Sequence, residues 1–296
     1  MKTAYLTFLA ALAAVLWVVV SDSVWAGAET THAPAKGDNA HAPAKGDNAH
    51  APAKGDKAPP HHWDYEGDQG PTHWGELDPK FSTCASGKEQ TPINIANAIK
   101  AQLQPIQFNY TTKTVEILNN GHTVQANFAP GSSITLEGRT FELKQVHFHV
   151  PSENLIQGRL FPMEAHFVHA DKEGNLAVIG LMFEEGSAFT ALEPLWAKMP
   201  KDVQKLPLAD ASAVSASDLL SAGQKSHPDA RLGADLGYYR FSGSLTTPPC
   251  SEGVFWIVLK KAATASQAQI QKFADVLHHH HNNRPVQPVN ARPILQ

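Results

Sequence analysis

The sequence predicts a mainly β domain of the α+β kind. Its centre would be one large, mostly antiparallel, twisted sheet, with a few short helices at the periphery. Three observations predict it. Eight short stretches with alternating or β-branched character recur between residues 114 and 259, turn-forming residues separate them, and helical periodicity is confined to three segments. The first strands are read at 114–118 (TVEIL), 123–128 (TVQANF), 133–136 (SITL) and 140–150 (TFELKQVHFHV), with Glu137, Gly138 and Arg139 turning the chain between the last two. The next fall at 164–169 (EAHFVH) and 176–183 (LAVIGLMF), on either side of the turn DKEGN. Residues 238–242 (YYRFS) and 253–259 (GVFWIVL) complete the set. Of the helical segments, 188–199 has apolar spacings of three and four and stops at Pro200, and 217–220 makes a single turn. The third, 266–277, has Ser266 placed to cap it and Ile270, Phe273, Ala274 and Leu277 along one face.

The start of the chain is not part of that fold. Lys2 precedes an apolar run from Leu6 to Val20, too short for a membrane span, and small residues approach Ala26. Residues 1–26 therefore read as a cleaved secretory signal peptide, with an uncleaved anchor as the alternative. The mature form is expected in the periplasm or secreted, with no stable membrane span. A nine-residue repeat follows, HAPAKGDNA from His32 and His41 and HAPAKGDKA from His50. It has no large apolar residue with which to offset ordering entropy, so 27–58 is expected to be a disordered linker. The remaining 238 residues (296 minus 58), 59–296, are enough for one sizeable domain. A net charge of −4 and the absence of basic clusters with interleaved aromatics give no support to nucleic-acid binding. In an exported chain, Cys84 and Cys250 read as one disulfide, two free thiols being the alternative.

The chemistry lies in QVHFHV, residues 145–150. In a strand, side chains two apart share a face, so Gln145, His147 and His149 lie together, opposite Val146 and Phe148. In EAHFVH, the same rule groups Glu164, His166 and Val168, and puts His169 on the other side as a hydrogen-bonded core histidine. If the two strands bring His147, His149 and His166 together, three neutral imidazoles converge. That donor set suits Zn2+ with a fourth position left for water. Gln145 and Glu164 each stand two residues before a histidine, where they would accept the proton of its other ring nitrogen. With only neutral ligands the ion keeps its full charge and acidifies bound water, so hydroxide is available near neutral pH.

These residues resemble the alpha-class carbonic anhydrases, in the style of exported bacterial members. The resemblance runs from about His61 to Arg292. It rests on GPTHW at Gly70, QTPINI at Gln90, NNGHTV at Asn119, QVHFHVPSEN at Gln145, EAHFVH at Glu164, SGSLTTPPCSEGVFWIVLK at Ser242 and NNRPVQPVNAR at Asn282. It implies that 59–296 is a catalytic domain that reversibly hydrates carbon dioxide to bicarbonate and a proton, with ester hydrolysis as a secondary activity. His147, His149 and His166 resemble the zinc ligands. Thr246 resembles the residue that orients zinc-bound hydroxide and passes its own proton to Glu153, and His122 resembles the proton shuttle. Val168, Val178, Leu245, Val254 and Trp256 resemble the apolar wall on which carbon dioxide rests. Tyr65, Thr247 and Gln125 fall where the family lines the cleft or orders water, and Asn282 resembles the partner of His149. Cys84 and Cys250 match the bacterial disulfide, and Thr91-Pro92 and Pro248-Pro249 match cis bonds. The resemblance further implies inhibition by sulfonamides and small anions, and hints at a homodimer.

Asn154 departs from the family, standing where many members carry a histidine, so a shifted network around Glu164 is expected. The run His278 to His281 reads as the exposed end of the last helix, because four consecutive side chains do not face one way, with accessory metal binding as the alternative. Two other functions remain in view: a zinc esterase, and a non-catalytic binding module of the same fold. The small apolar wall argues against the first, and three retained histidines argue against the second.

Overall fold

The computed structural model describes residues 62–221 and 237–296. The signal peptide and the repeat linker expected at 1–26 and 27–58 lie outside the described residues. The strands are β1 (Asn94–Ile95), β2 (Gln107–Asn109), β3 (Thr114–Asn119), β4 (Val124–Phe128), β5 (Ser133–Leu136), β6 (Arg139–His149) and β7 (Leu155–Ile156). They continue as β8 (Met163–Ala170), β9 (Leu176–Glu185), β10 (Gln204–Pro207), β11 (Tyr238–Ser244), β12 (Glu252–Leu259) and β13 (Ala263–Ala265). The helices are α1 (Trp74–Leu77), α2 (Thr83–Ser86), α3 (Glu193–Lys198), α4 (Ala216–Ser221) and α5 (Gln267–Ala274). All eight strands read from the sequence are present. The additional ones have two to four residues each, too few for a readable period.

The main sheet runs β10-β3-β4-β6-β8-β9-β12-β11, with β5 joining β2 to β6 and β13 lying on β9. Its pairings are antiparallel except those of β9 with β12 and β13. β1 and β7 form a separate parallel pair. The last helix is capped as the sequence predicts. Ser266 Oγ accepts from the Gln269 N–H at 3.2 Å, and Gln269 Oε1 accepts from the Ser266 N–H at 3.2 Å, a capping box. The helix ends at Ala274, short of the expected residue 277.

The two faces of the sheet bury different clusters. One face holds the larger, in which Phe148, Trp196 of α3 and Phe273 of α5 meet, with Phe148 and Trp196 centroids 4.8 Å apart. The other holds Ile93, Val178, Met182, Val254 and Trp256. β6 decides which residues go where. Phe141 and Leu143 point into the larger core from odd positions, whereas Val146 and Phe148 do so from even positions. The switch is a bulge. Leu143 pairs with His169 and Gln145 with Val168, leaving Lys144 as an extra, exposed residue. That single insertion turns Gln145, His147 and His149 to the opposite face.

A disulfide links Cys84 of α2 to Cys250, with Cα atoms 5.0 Å apart and a sequence separation of 166. It closes a cluster in which Tyr65, Trp74 and both cysteines are buried. Chain entropy sets an upper limit of about 5 kcal/mol for a loop of this size. The Cys84→Ser/Cys250→Ser double variant is expected to lose about 3–5 kcal/mol of unfolding free energy, read from urea denaturation.

His169 is buried on the core side, its Nε2 2.7 Å from the Tyr110 hydroxyl and its Nδ1 3.2 Å from the Ala177 carbonyl. Burial lowers its pKa from 6.5 to about 4, against the hydrogen bond to Ala177. The unfolded chain therefore takes the proton first as pH falls. The stability is present above pH 6.5, is lost as pH drops towards 4, and amounts to about 3 kcal/mol over that window. A His169→Gln variant, though destabilised, should show a flatter rise of stability between pH 4 and 6.5 than the native chain.

Candidate metal centre

The antiparallel register of β6 and β8 pairs His147 with His166 and His149 with Glu164. Across the sheet, one donor nitrogen from each of His147, His149 and His166 lies within 4.8 Å of the others. Each ring is oriented by an acceptor on its other nitrogen. His147 Nδ1 lies 2.8 Å from Gln145 Oε1, and His149 Nδ1 lies 2.7 Å from the Asn282 carbonyl. His166 Nε2 lies 2.9 Å from Glu164 Oε1, although out of line for a straight hydrogen bond. A carbonyl or carboxylate takes only a proton, so those nitrogens carry the N–H. The lone pairs left over, on Nε2 of His147 and His149 and Nδ1 of His166, converge.

These residues fit a zinc ion. His149 Nε2 is buried without a hydrogen-bond partner, an arrangement that is unfavourable unless something else occupies its lone pair. Burial, with the neighbouring His149 and His166, holds the His147 pKa well below 6.5, and burial lowers that of His149 to about 4, so both rings are neutral. Three imidazole nitrogens at this spacing match the donor set Zn2+ prefers. His149 and His166 are buried whereas His147 is only partly so, which leaves the group open on the His147 side.

The groups behind the ligands form a buried network. Glu164 Oε2 accepts from the backbone N–H groups of Glu153 and Asn154, both at 2.9 Å, and Oε1 accepts from the Asn154 side-chain amide at 2.9 Å. Burial alone would raise the Glu164 carboxyl, but His166 and the Asn154 bonds hold it below its usual range. Asn154 thus gives its backbone N–H and a side-chain N–H to this carboxylate, and its Oδ1 accepts from the Ile93 N–H at 3.1 Å. Gly180 lies opposite His166, and a Cβ there would come 2.8 Å from Glu164 Oε1. Asn282 performs three tasks. Its carbonyl takes the His149 proton, its Oδ1 accepts from the Val150 N–H at 2.8 Å, and its Nδ2 donates to the carbonyls of Phe148 at 2.9 Å and His122 at 3.0 Å.

Glu153 Oε1 accepts from the Arg284 N–H at 2.9 Å, and Glu153 sits beside the Thr246 hydroxyl. Its Oε2 lies 3.4 Å from His149 Nε2 and has no hydrogen-bond partner. Burial pushes the carboxyl up to about 7, with Glu164 adding to the rise and His166, Arg284 and Thr246 opposing it. Arg284 escaped the sequence reading. Its buried guanidinium donates to Gln90 Oε1 at 2.9 Å and to the carbonyls of Thr91 at 2.8 Å and Cys84 at 3.0 Å, while its main chain holds Glu153. No side-chain signal could have found that last role, because it belongs to a backbone amide.

The remaining expected residues divide. Val178, Val254 and Trp256 are buried in one cluster with Val168 and Leu245 packed against it, and the Trp256 and His166 rings are 4.9 Å apart. Trp256 Nε1 donates to the Ser244 carbonyl at 2.9 Å. Thr247 is partly buried, and its carbonyl receives the Cys250 N–H at 2.9 Å. Gln125 pairs with His147 in register, but its amide donates to Asn127 Oδ1 at 2.7 Å. Tyr65 is buried among aromatics, and burial, Glu153 and Asp64 push its phenol well above 10. The His122 ring stacks on Trp63 at 3.7 Å and on His62 at 5.6 Å, and burial, with His62 adding to it, holds its pKa to about 4.

A β-sheet that presents three closely spaced imidazoles beside an apolar wall is a scaffold suited to holding a metal ion. The sequence profile of the eukaryotic-type carbonic anhydrases matches residues 69–296. A carbonic anhydrase of Pectobacterium carotovorum is 48% identical over 234 residues, covering 79% of this chain and 90% of its own. One of Neisseria gonorrhoeae is 44% identical over 236 residues, covering 79% and 88%. The structure of an alpha-carbonic anhydrase from Thermovibrio ammonificans, in complex with the inhibitor sulfanilamide, shares 44% identity and superposes with a TM-score of 0.72 over 80% of this chain and 99% of its own. The chain belongs to the alpha-carbonic anhydrase family, and it is an enzyme of that class.

Of the three histidines, Glu164 contacts His166, with Oε1 2.9 Å from its Nε2. Glu164→Gln is expected to weaken zinc affinity about 10–100-fold, and Asn154→Ala to weaken it in the same direction but less, as measured by competition with a fluorescent chelator.

Proposed function

We propose that this chain is an exported zinc enzyme that hydrates carbon dioxide, with Zn2+ held by His147, His149 and His166. The observation that carries the reading is the convergence of three imidazole nitrogens, one of them the buried and otherwise unpartnered His149 Nε2. Bound zinc would supply a nucleophile near neutral pH by acidifying water, an effect of which carbonic anhydrases are themselves the standard illustration. The chain's own residues supply the rest. Thr246 gives its proton to Glu153 and so presents only an acceptor towards the site, a positioning effect. Val168, Val178, Leu245, Val254 and Trp256 offer a small apolar surface that suits linear, uncharged carbon dioxide better than a bulky acyl group.

His122 moves the product proton to buffer. Its stacked pose on Trp63, with the pKa held to about 4, is poor for accepting a proton near neutrality, so shuttling requires the ring to leave that pose. Residues 1–26 direct export, 27–58 act as a spacer and 59–296 catalyse. The Cys84–Cys250 disulfide supports an oxidising destination, the periplasm or the exterior. Binding of sulfanilamide by the Thermovibrio relative supports sulfonamide inhibition here.

In stopped-flow assays the native protein, with one tightly held zinc in this centre, should hydrate carbon dioxide at least about 10³ times faster than His166→Ala, which removes a ligand. Ester hydrolysis measured in parallel should fall with it and remain the slower activity. Equal hydration rates for the two proteins would sink the reading.

A further inference from the structure

The histidine run after α5 takes no part in the proposed catalysis. His280 takes a left-handed backbone conformation, φ 58°, and its side chain goes its own way towards Asp275, 3.9 Å off. The three others gather on the carboxylates of Asp64 and Glu66. The exposed helix end expected from the sequence is therefore an organised cluster.

The spacing is that of a coordination sphere. Asp64 Oδ2 and His279 Nε2 are 3.1 Å apart, His279 Nε2 and His278 Nδ1 are 3.1 Å apart, and His278 Nδ1 and Asp64 Oδ2 are 3.6 Å apart. Ligands at about 2.0–2.2 Å from a tetrahedral zinc lie about 3.3–3.6 Å from one another, so the triangle has the size of one face of such a sphere. The carboxylate is held for the purpose. Asp64 Oδ1 accepts from the Tyr65 N–H at 2.7 Å, and the Asp64 carbonyl accepts from the buried Trp74 indole at 2.8 Å, which directs Oδ2 to the histidines. The other nitrogen of His279 is 3.2 Å from Glu66 Oε2, and His281 Nε2 is 2.8 Å from Glu66 Oε1. A carboxylate on the far nitrogen of a ring is how metal-bound histidines are oriented.

Protons alone serve this cluster poorly. A single proton on His279 Nε2 faces two acceptors, the Asp64 oxygen and the His278 nitrogen, whereas one cation would satisfy all three atoms. Two nearby carboxylates add attraction for it. We propose that Asp64, His278 and His279 form a second metal site, distinct from the three-histidine centre and selective for divalent first-row transition ions. Two imidazoles and one carboxylate suit zinc or copper rather than calcium or magnesium. An ion there would tie residues 62–66 to the loop after α5, across a separation of 215 residues.

The test uses the full chain with its three-histidine centre already loaded, titrated with Zn2+ by calorimetry and checked by elemental analysis. A second equivalent should bind, and in the His278→Ala/His279→Ala variant its affinity should drop at least about 100-fold, since two of three ligands are gone. Retention of one tightly bound zinc shows that the variant is folded. Asp64→Asn, which keeps shape and removes charge, should weaken the second equivalent at least about tenfold. Saturation of the native protein at one zinc would overturn the proposal. So would a second equivalent unaffected by these substitutions, which would assign it to histidines elsewhere, such as those of the repeat.

Discussion

One extra residue in one strand governs the whole arrangement. In an unbroken β6, odd positions would share a face, so Phe141 and Leu143 would lie beside His147 and His149. Either the imidazoles would sit in the hydrophobic core, or two large apolar side chains would lie in the cleft. The Lys144 bulge removes the conflict by shifting the phase of the strand by one. Upstream of it the strand packs the core with odd residues. Downstream it packs the same core with Val146 and Phe148, and the histidines are freed to meet His166. Lys144 bears no constraint of its own, being exposed and bonded only to Glu142 at 2.5 Å.

Having placed three imidazoles on a buried face, the fold must also satisfy their second nitrogens and the carboxylates behind them. Buried polar groups left unpaired cost about 1–3 kcal/mol each. The chain meets this by converging distant segments. Asn282 comes from near the C-terminus to receive the His149 proton, and Asn154 comes from the β6–β8 connection to hold Glu164. Arg284 ties Glu153 to the segment carrying Cys84, so the disulfide region and the Thr246–Glu153 pair are mechanically continuous. The parallel pairing of β9 with β12 sets Val178 beside Trp256 and completes the apolar wall from strands remote in sequence.

Much of this was legible because strands obey a period of two. That rule puts Gln145 on one face with His147 and His149, and Glu164 on one face with His166, while the meeting of the two faces depends on the pairing of β6 with β8. The bulge was legible as well, in hindsight of the pattern. FELKQVHFH has apolar residues at odd positions and then at even ones, a phase break that marks an insertion. Other features had no such signal. His149 is oriented by a backbone carbonyl and Glu153 by a backbone amide, and main-chain atoms are the same for every residue type. The three-residue strands β2 and β13 lie along the edges of the longer β5 and β9, and the two-residue β1 and β7 pair only with each other. The gathering of His278, His279 and His281 depends on one left-handed residue and on partners 215 residues away.

The two histidine clusters differ in the way that separates a reactive centre from a structural one. At the first, the group is made of imidazoles with no carboxylate among them, so a dication would keep its full charge and polarise water strongly. Of the nearby carboxylates, Glu164 lies on the far nitrogen of His166, and Glu153 is tied through Oε1 to the Arg284 N–H. At the second, Asp64 would ligate directly and Glu66 lies one ring away, so most of an ion's charge would be cancelled where it sits. Such a site binds and fixes chain segments but has little power left to activate a water molecule. The same imidazole chemistry would serve catalysis at one place and cohesion at the other, and the placement of the carboxylates would make the difference.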